Sequence, residues 1–219
     1  MPSIPRKQPL AEILSGKGYW VFYPRYRGAW ESGGEFLGRS PHLDVLDVIS
    51  GLSKEFRELA FRRRFRVSLD EVFVIGGSFG GAAAILSSLD PRVKKVIANC
   101  PVVDWGILAR SQKKETSNAS YAAYIRAAFG NGYRLSDKNW KKLRGGRFYN
   151  PIDHASEIIP SKIVMFHAQD DPYVPYQSVA KFARLTGVRL KSLRRGGHLS
   201  TDLIVRKYWA LISEFFEDN

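Results

Sequence analysis

Cysteine is almost missing from this 219-residue chain: Cys100 stands alone, so no internal disulfide staples the fold. Such usage fits a reducing compartment, although it does not exclude export. Cys100 follows the apolar run Val96-Ile97-Ala98 and reads as a small packing residue rather than a nucleophile. No apolar run approaches the roughly 18 residues of a spanning helix, and the amino terminus lacks the apolar core of a signal peptide. A cytoplasmic protein without a membrane partner is therefore expected. Zinc-finger spacing, an RNP-type aromatic strand, a P-loop, internal repeats and low-complexity tracts are absent too. No metal and no cofactor is expected from these motifs, and a nucleic-acid partner is not expected either.

With 44% hydrophobic content, residues 1–219 suffice to bury one core as a single domain. The formal net charge is +13. Its densest piece, Arg62-Arg63-Arg64-Phe65-Arg66, is expected at the end of a helix from about Leu43 to Arg63, whose Val45, Ile49, Leu52, Phe56 and Leu59 keep helical spacing. Cations are favoured at a helix carboxyl end, so the cluster needs no partner. Arg194 and Arg195, just before His198, would attract acidic substrates, or serve only as exposed loop charges.

The most informative stretch is Ile75-Gly76-Gly77-Ser78-Phe79-Gly80-Gly81. It follows the apolar run Val72-Phe73-Val74-Ile75 and opens the alanine-rich segment Ala82-Ala83-Ala84-Ile85-Leu86, which is the strand, turn and helix context of a G-x-S-x-G nucleophile elbow. A serine on so sharp a turn needs neighbours with almost no side chain, and Gly76 and Gly80 provide them. A bland glycine-rich turn has the same composition, so the partners decide.

Two later segments supply them. Ile163-Val164-Met165-Phe166-His167 reads as a buried strand leading into the loop Ala168-Gln169-Asp170-Asp171-Pro172-Tyr173-Val174-Pro175, and Val188 to Leu193 reads as a strand leading into Arg194-Arg195-Gly196-Gly197-His198. Residues beyond the carboxyl ends of parallel strands collect along one edge of the sheet. Ser78, Asp171 and His198 would meet there, in the order nucleophile, acid, histidine used by α/β-hydrolases. His198 would take the serine proton and return it to the leaving group, while Asp171 would orient the imidazole. Asp170 is the rival acid. Asp171 as a cap for a helix beginning near Tyr176, and His198 as a plain loop residue, are the alternatives.

These stretches resemble the catalytic domain of the prolyl oligopeptidase family of serine peptidases, within the α/β-hydrolase superfamily. Gly18-Tyr19-Trp20-Val21-Phe22-Tyr23-Pro24-Arg25-Tyr26-Arg27-Gly28 is similar to the family's strand and YRG loop, and Gly76 to Gly81 resembles its GGSYGG with Phe79 in the tyrosine position. Pro101 to Trp105 and Asn150 to Asp153 match further segments, and His167 to Pro175 resembles the acid loop, with Ala168 replacing a glycine. That alignment selects Asp171, because Val174-Pro175 lies three residues beyond it. The resemblance implies a mostly parallel sheet with helices on both faces, apparently lacking the first strands. It also implies hydrolysis of short peptides, with carboxylic esters, as in dienelactone-hydrolase-like relatives, as the alternative substrate.

One part of the family pattern is missing. The resemblance calls for a His-Gly-Gly loop whose N–H joins that of Phe79 in an oxyanion hole, but no such loop precedes Gly18. Its strand would lie between the expected strand Trp20–Tyr23 and the strand Val72–Ile75. Met1 to Leu10 is a poor substitute because it carries Pro2, Pro5 and Pro9. On this reading the chain starts about one βα unit late. A donor lost from an oxyanion hole costs on the order of a hundred- to a thousandfold in rate, which keeps open a binding protein on a hydrolase scaffold. Residues 106–149 are expected to form a cap-like insertion, with Tyr121 and Tyr124 as pocket candidates. A helix from Tyr176 to Leu185 and a last helix from Thr201 to Phe216 complete the expected cover of the sheet.

Overall fold

The computed structural model describes residues 8–58, 60–107, 118–143 and 148–218. A two-residue hairpin pairs β1 (Phe56–Arg57) with β2 (Arg64–Phe65). The main sheet is parallel throughout and runs in the order β3 (Val72–Gly77), β4 (Val93–Asn99), β5 (Ile163–Ala168), β6 (Arg189–Leu193). Parallel strands buried on both faces read as continuous apolar runs rather than alternating ones. β5 has that character, as does β4 from Val96 to Ala98, and the two-residue period of the strand sends successive side chains into different cores. Val96, Ala98, Ile163 and Met165 pack on one face, and Ile97, Val164 and Phe166 on the other.

Helices cover each face. α2 (His42–Leu52), α3 (Phe79–Ser87) and α6 (Tyr176–Thr186) close the first core. α1 (Gln8–Ser15), α7 (Thr201–Lys207) and α8 (Trp209–Glu217) close the second. α4 (Asn118–Phe129) and α5 (Asp137–Lys142) lie between β4 and β5 in the chain, and Ser136 caps α5 by accepting the Asn139 N–H. α6 stops at Gly187, whose φ of 76° suits a residue without Cβ. The loop after Tyr26 is fastened to α2 through Arg27, whose guanidinium meets Asp44 at 3.0 Å and Asp47 at 2.6 Å.

Three expectations from the sequence are corrected. Trp20–Tyr23 is not a strand, because none of the backbone groups of Trp20–Arg25 makes a backbone hydrogen bond among the described residues. The helix expected to reach Arg63 ends at Leu52. Beyond it the aromatic rings take over: Phe56 and Phe65 stack across the hairpin, against Phe22 and Trp20 respectively. The Arg62–Arg66 cluster therefore spans a hairpin, with Arg62 at a φ of 57°, and the helix dipole does not explain it. The last helix is broken at Tyr208, whose φ of −114° and ψ of 25° leave the helical region.

Candidate active site

β3 delivers Ser78 to a turn with φ 54° and ψ −117°, a strained conformation for a residue with a side chain. Backbone bonds hold it: its N–H donates to Asn99 O at 2.8 Å, and its carbonyl accepts from Gly81 at 3.0 Å and Val102 at 3.3 Å. The glycines are there because atoms crowd the turn. A Cβ on Gly76 would sit 2.1 Å from the Gly80 carbonyl oxygen, and one on Gly77 would sit 2.3 Å from Thr201 Oγ1. Backbone cannot yield as a flexible side chain does, so Gly76→Ala is expected to cost about 3 kcal/mol or more. At this chain length that is a fall in Tm of about 6–12 °C, to be read by thermal denaturation.

Phe79 opens α3, so its N–H is among the helix amides without an intrahelical acceptor. Its ring is buried against Tyr26, Phe36, Trp105 and Tyr149, and its carbonyl accepts the Tyr149 hydroxyl. The helix start thus leaves a partly positive N–H on the residue next to Ser78.

β5 and β6 supply the acid and the histidine. His198 Nδ1 lies 2.8 Å from Asp171 Oδ2, and because a carboxylate only accepts, Nδ1–H donates there and Nε2 is the nitrogen left for a proton acceptor's role. The Asp171 side chain is wholly buried. Burial alone would raise its pKa, but the His198 bond and the N–H groups of Val174 and Tyr173 outweigh this and hold it down at about 2. Asp171 caps no helix, since α6 starts after Pro175 without a side-chain cap.

Asp170 does something the sequence did not reveal. Its Oδ1 accepts the N–H of Gly196 at 2.9 Å and of Gly197 at 2.8 Å, fastening the loop that carries His198. Asn99 Nδ2 secures the other side of that loop by donating to Leu199 O at 2.7 Å. The pair Asp-Asp before a proline was a visible signal, but its division of labour depends on the approach of the β6 loop. Asp170→Ala is expected to slow turnover about ten- to hundredfold by loosening His198, with Asp170→Asn, which retains an acceptor, restoring most of it. Equal losses in both variants would refute this positioning role.

His167 is fully buried, and burial lowers its pKa, so it is neutral. It donates from Nε2 to Val174 O at 3.0 Å and steadies the turn that presents Asp171. Among the described residues, Cys100, His167 and Asp171 form a cluster whose ligand atoms lie within 4.8 Å of one another. It fits a metal poorly: burial pushes the Cys100 thiol up to about 12, and Asp171 is already committed to His198.

Ser78 and His198 line one cavity of about 1300 Å³. Among the described residues no hydrogen bond joins them, and such contacts often tighten only when substrate is bound. Of the aromatic residues proposed for the pocket, Tyr124 lies on α4 and is exposed, while the side chain of Tyr121 lies outside the described residues. Tyr173 packs edge-on to His198 at 5.4 Å between ring centroids.

A parallel sheet covered on both faces, with a glycine-flanked serine at a strand-to-helix turn, defines an α/β-hydrolase. Residues 8–200 match the prolyl oligopeptidase family, and the chain belongs to that family. No curated protein matches it significantly in sequence. Solved structures resemble it in fold. An esterase from Pyrococcus furiosus has a TM-score of 0.66 at 20% identity, over 96% of this chain and 74% of its own. A monoacylglycerol lipase from Paleococcus ferrophilus has a TM-score of 0.60 at 15% identity, over 95% of this chain and 88% of its own. No helix among the described residues is long and apolar enough to cross a membrane.

Proposed function

We propose that this chain is a serine hydrolase acting on carboxylic esters by acyl transfer. Ser78 attacks the carbonyl, His198 takes its proton at Nε2 and returns it to the leaving alcohol, and Asp171 stabilises the imidazolium. The Phe79 N–H receives the oxyanion. The observation that carries this reading is the bond from His198 Nδ1 to the buried Asp171 carboxylate, on a ring that shares a cavity with Ser78.

Esters are preferred to peptides on chemical grounds. An ester carbonyl is more electrophilic than an amide, and an alkoxide leaves more readily than an amide anion, whose nitrogen must first be protonated, so less transition-state stabilisation is required. The esterase and the lipase that share the fold support the same choice. Hydrolysis of short peptides is the second reading, favoured by the family itself.

A fluorophosphonate, which needs an activated serine and little recognition, is expected to label Ser78. Values of kcat/KM for p-nitrophenyl butyrate should exceed those for a prolyl p-nitroanilide by at least about a hundredfold. The reverse ranking would establish the peptidase, and a folded protein that takes no label would refute both readings in favour of a binding role.

A further inference from the structure

Neither the helix dipole nor the proposed chemistry gives the arginines of the β1–β2 hairpin a role. Arg57, Arg62, Arg63, Arg64 and Arg66 are all exposed. Arg57 stands directly across from Arg64 in the strand pair, and like charges so placed weaken a hairpin. Of the five, Arg64 alone has an ion-pair partner among the described residues, Glu55 at 3.1 Å. The acid of the loop is engaged internally: Glu58 turns its carboxylate back to accept the N–H groups of Ala60 and Phe61, both at 2.8 Å. The tip is left with a surplus of positive charge.

A large apolar ring sits among these charges. Phe61 is 76% exposed, the most of any large hydrophobic side chain among the described residues, and the Arg63 guanidinium lies 5.2 Å from its ring centre. Every residue from Ala60 to Arg64 is exposed, so the tip protrudes. Behind it Phe56 and Phe65 stack at 5.8 Å and hold the two short strands together. Phe65 meets Trp20, and Tyr19 beside it touches Phe73 near the start of β3, so the hairpin stands toward the opposite end of that strand from Ser78.

A protruding ring surrounded by cations suits a surface that is negative outside and apolar just beneath. We propose that this hairpin tip docks the protein on anionic lipid bilayers, with Phe61 entering the headgroup boundary and Arg57, Arg62, Arg63 and Arg66 meeting the lipid phosphates. Arginine keeps its charge among headgroups while its stem lies along apolar surface. Single-stranded nucleic acid calls for a basic groove and bare ring faces, whereas this tip protrudes and Arg63 covers one face of Phe61. A second copy would bring like charges together. The expectation of no membrane partner rested on the lack of a spanning helix, which docking on a surface does not require.

The test is co-sedimentation of the full chain with vesicles at about 0.1 M salt. Binding to phosphatidylcholine containing about 30% phosphatidylserine is expected to exceed binding to phosphatidylcholine alone at least about tenfold, and to weaken as salt is added. Arg62→Gln/Arg63→Gln and Phe61→Ser should each weaken it at least about fivefold with Tm unchanged. Arg62→Lys/Arg63→Lys, which keeps the charge, should retain most of it. Lys138→Gln/Lys141→Gln removes two exposed charges from α5 and should leave binding within about twofold. Equal binding to both vesicles, no loss in either hairpin variant, or an equal loss in the α5 variant overturns the proposal. So does tighter binding of a single-stranded oligonucleotide that is lost in Phe61→Ser, which would make the tip a nucleic-acid site. None of these readouts depends on catalysis.

Discussion

Ser78→Ala is expected to lower kcat/KM for p-nitrophenyl butyrate by on the order of 10⁴ or more, with the fold intact. Loss of a nucleophile that works as one unit with its base removes nearly all of the unit's contribution. The Ser78 side chain makes no hydrogen bond among the described residues, and its strained backbone is held by Asn99, Gly81 and Val102, so alanine inherits the same turn. Stability should therefore shift by no more than about 0.5 kcal/mol. His198→Ala should be equally damaging, and the double variant no worse than either single one, because the two residues act on one proton. Activity in Ser78→Ala above a tenth of the parent would end the assignment of this serine as nucleophile.

Asp171→Asn is expected to cost about 10⁴ in kcat, because an amide can donate to Nδ1 and so turns the ring to the wrong tautomer. The same substitution has a second signature in stability. The folded carboxyl titrates at about 2, and an unfolded aspartate titrates near 3.9. A depressed folded pKa stabilises the native state above the unfolded value, so this contribution is complete above about pH 4 and lost as the pH falls toward 2. It amounts to roughly 2 kcal/mol. Denaturant unfolding of the parent at pH 5 and at pH 2 should show that loss, and the variant should show a correspondingly smaller fall. An unchanged pH dependence in the variant would mean that other carboxylates carry the acid transition.

Much of the site can be read along the chain because its determinants are local. The serine turn needs glycines within a few residues of Ser78, since the β3 backbone and the start of α3 nearly touch there. Strand runs such as Ile163–Phe166 show their burial on both faces by having no polar alternation. Positions whose meaning depends on distant neighbours were misjudged. Trp20–Tyr23 has strand composition, but a strand needs a partner edge, and β3 and this segment face each other across a cavity. Phe56 fits a helical stripe, yet it stacks on Phe65 instead, because the Phe22 and Trp20 rings are there to receive the hairpin.

The sequence by itself determined the order of the elements around Ser78, Asp171 and His198, since short-range periodicity and glycine placement suffice to predict where each strand ends. The tertiary structure alone decided what the second of the two adjacent carboxylates does. Asp171 turns inward, where Tyr173 and Val174 cap one oxygen and His198 takes the other, while Asp170 is used up on Gly196 and Gly197. It also left one edge of β3 without a strand partner among the described residues, since hydrogen bonding between strands is a relation between distant segments that no single segment encodes.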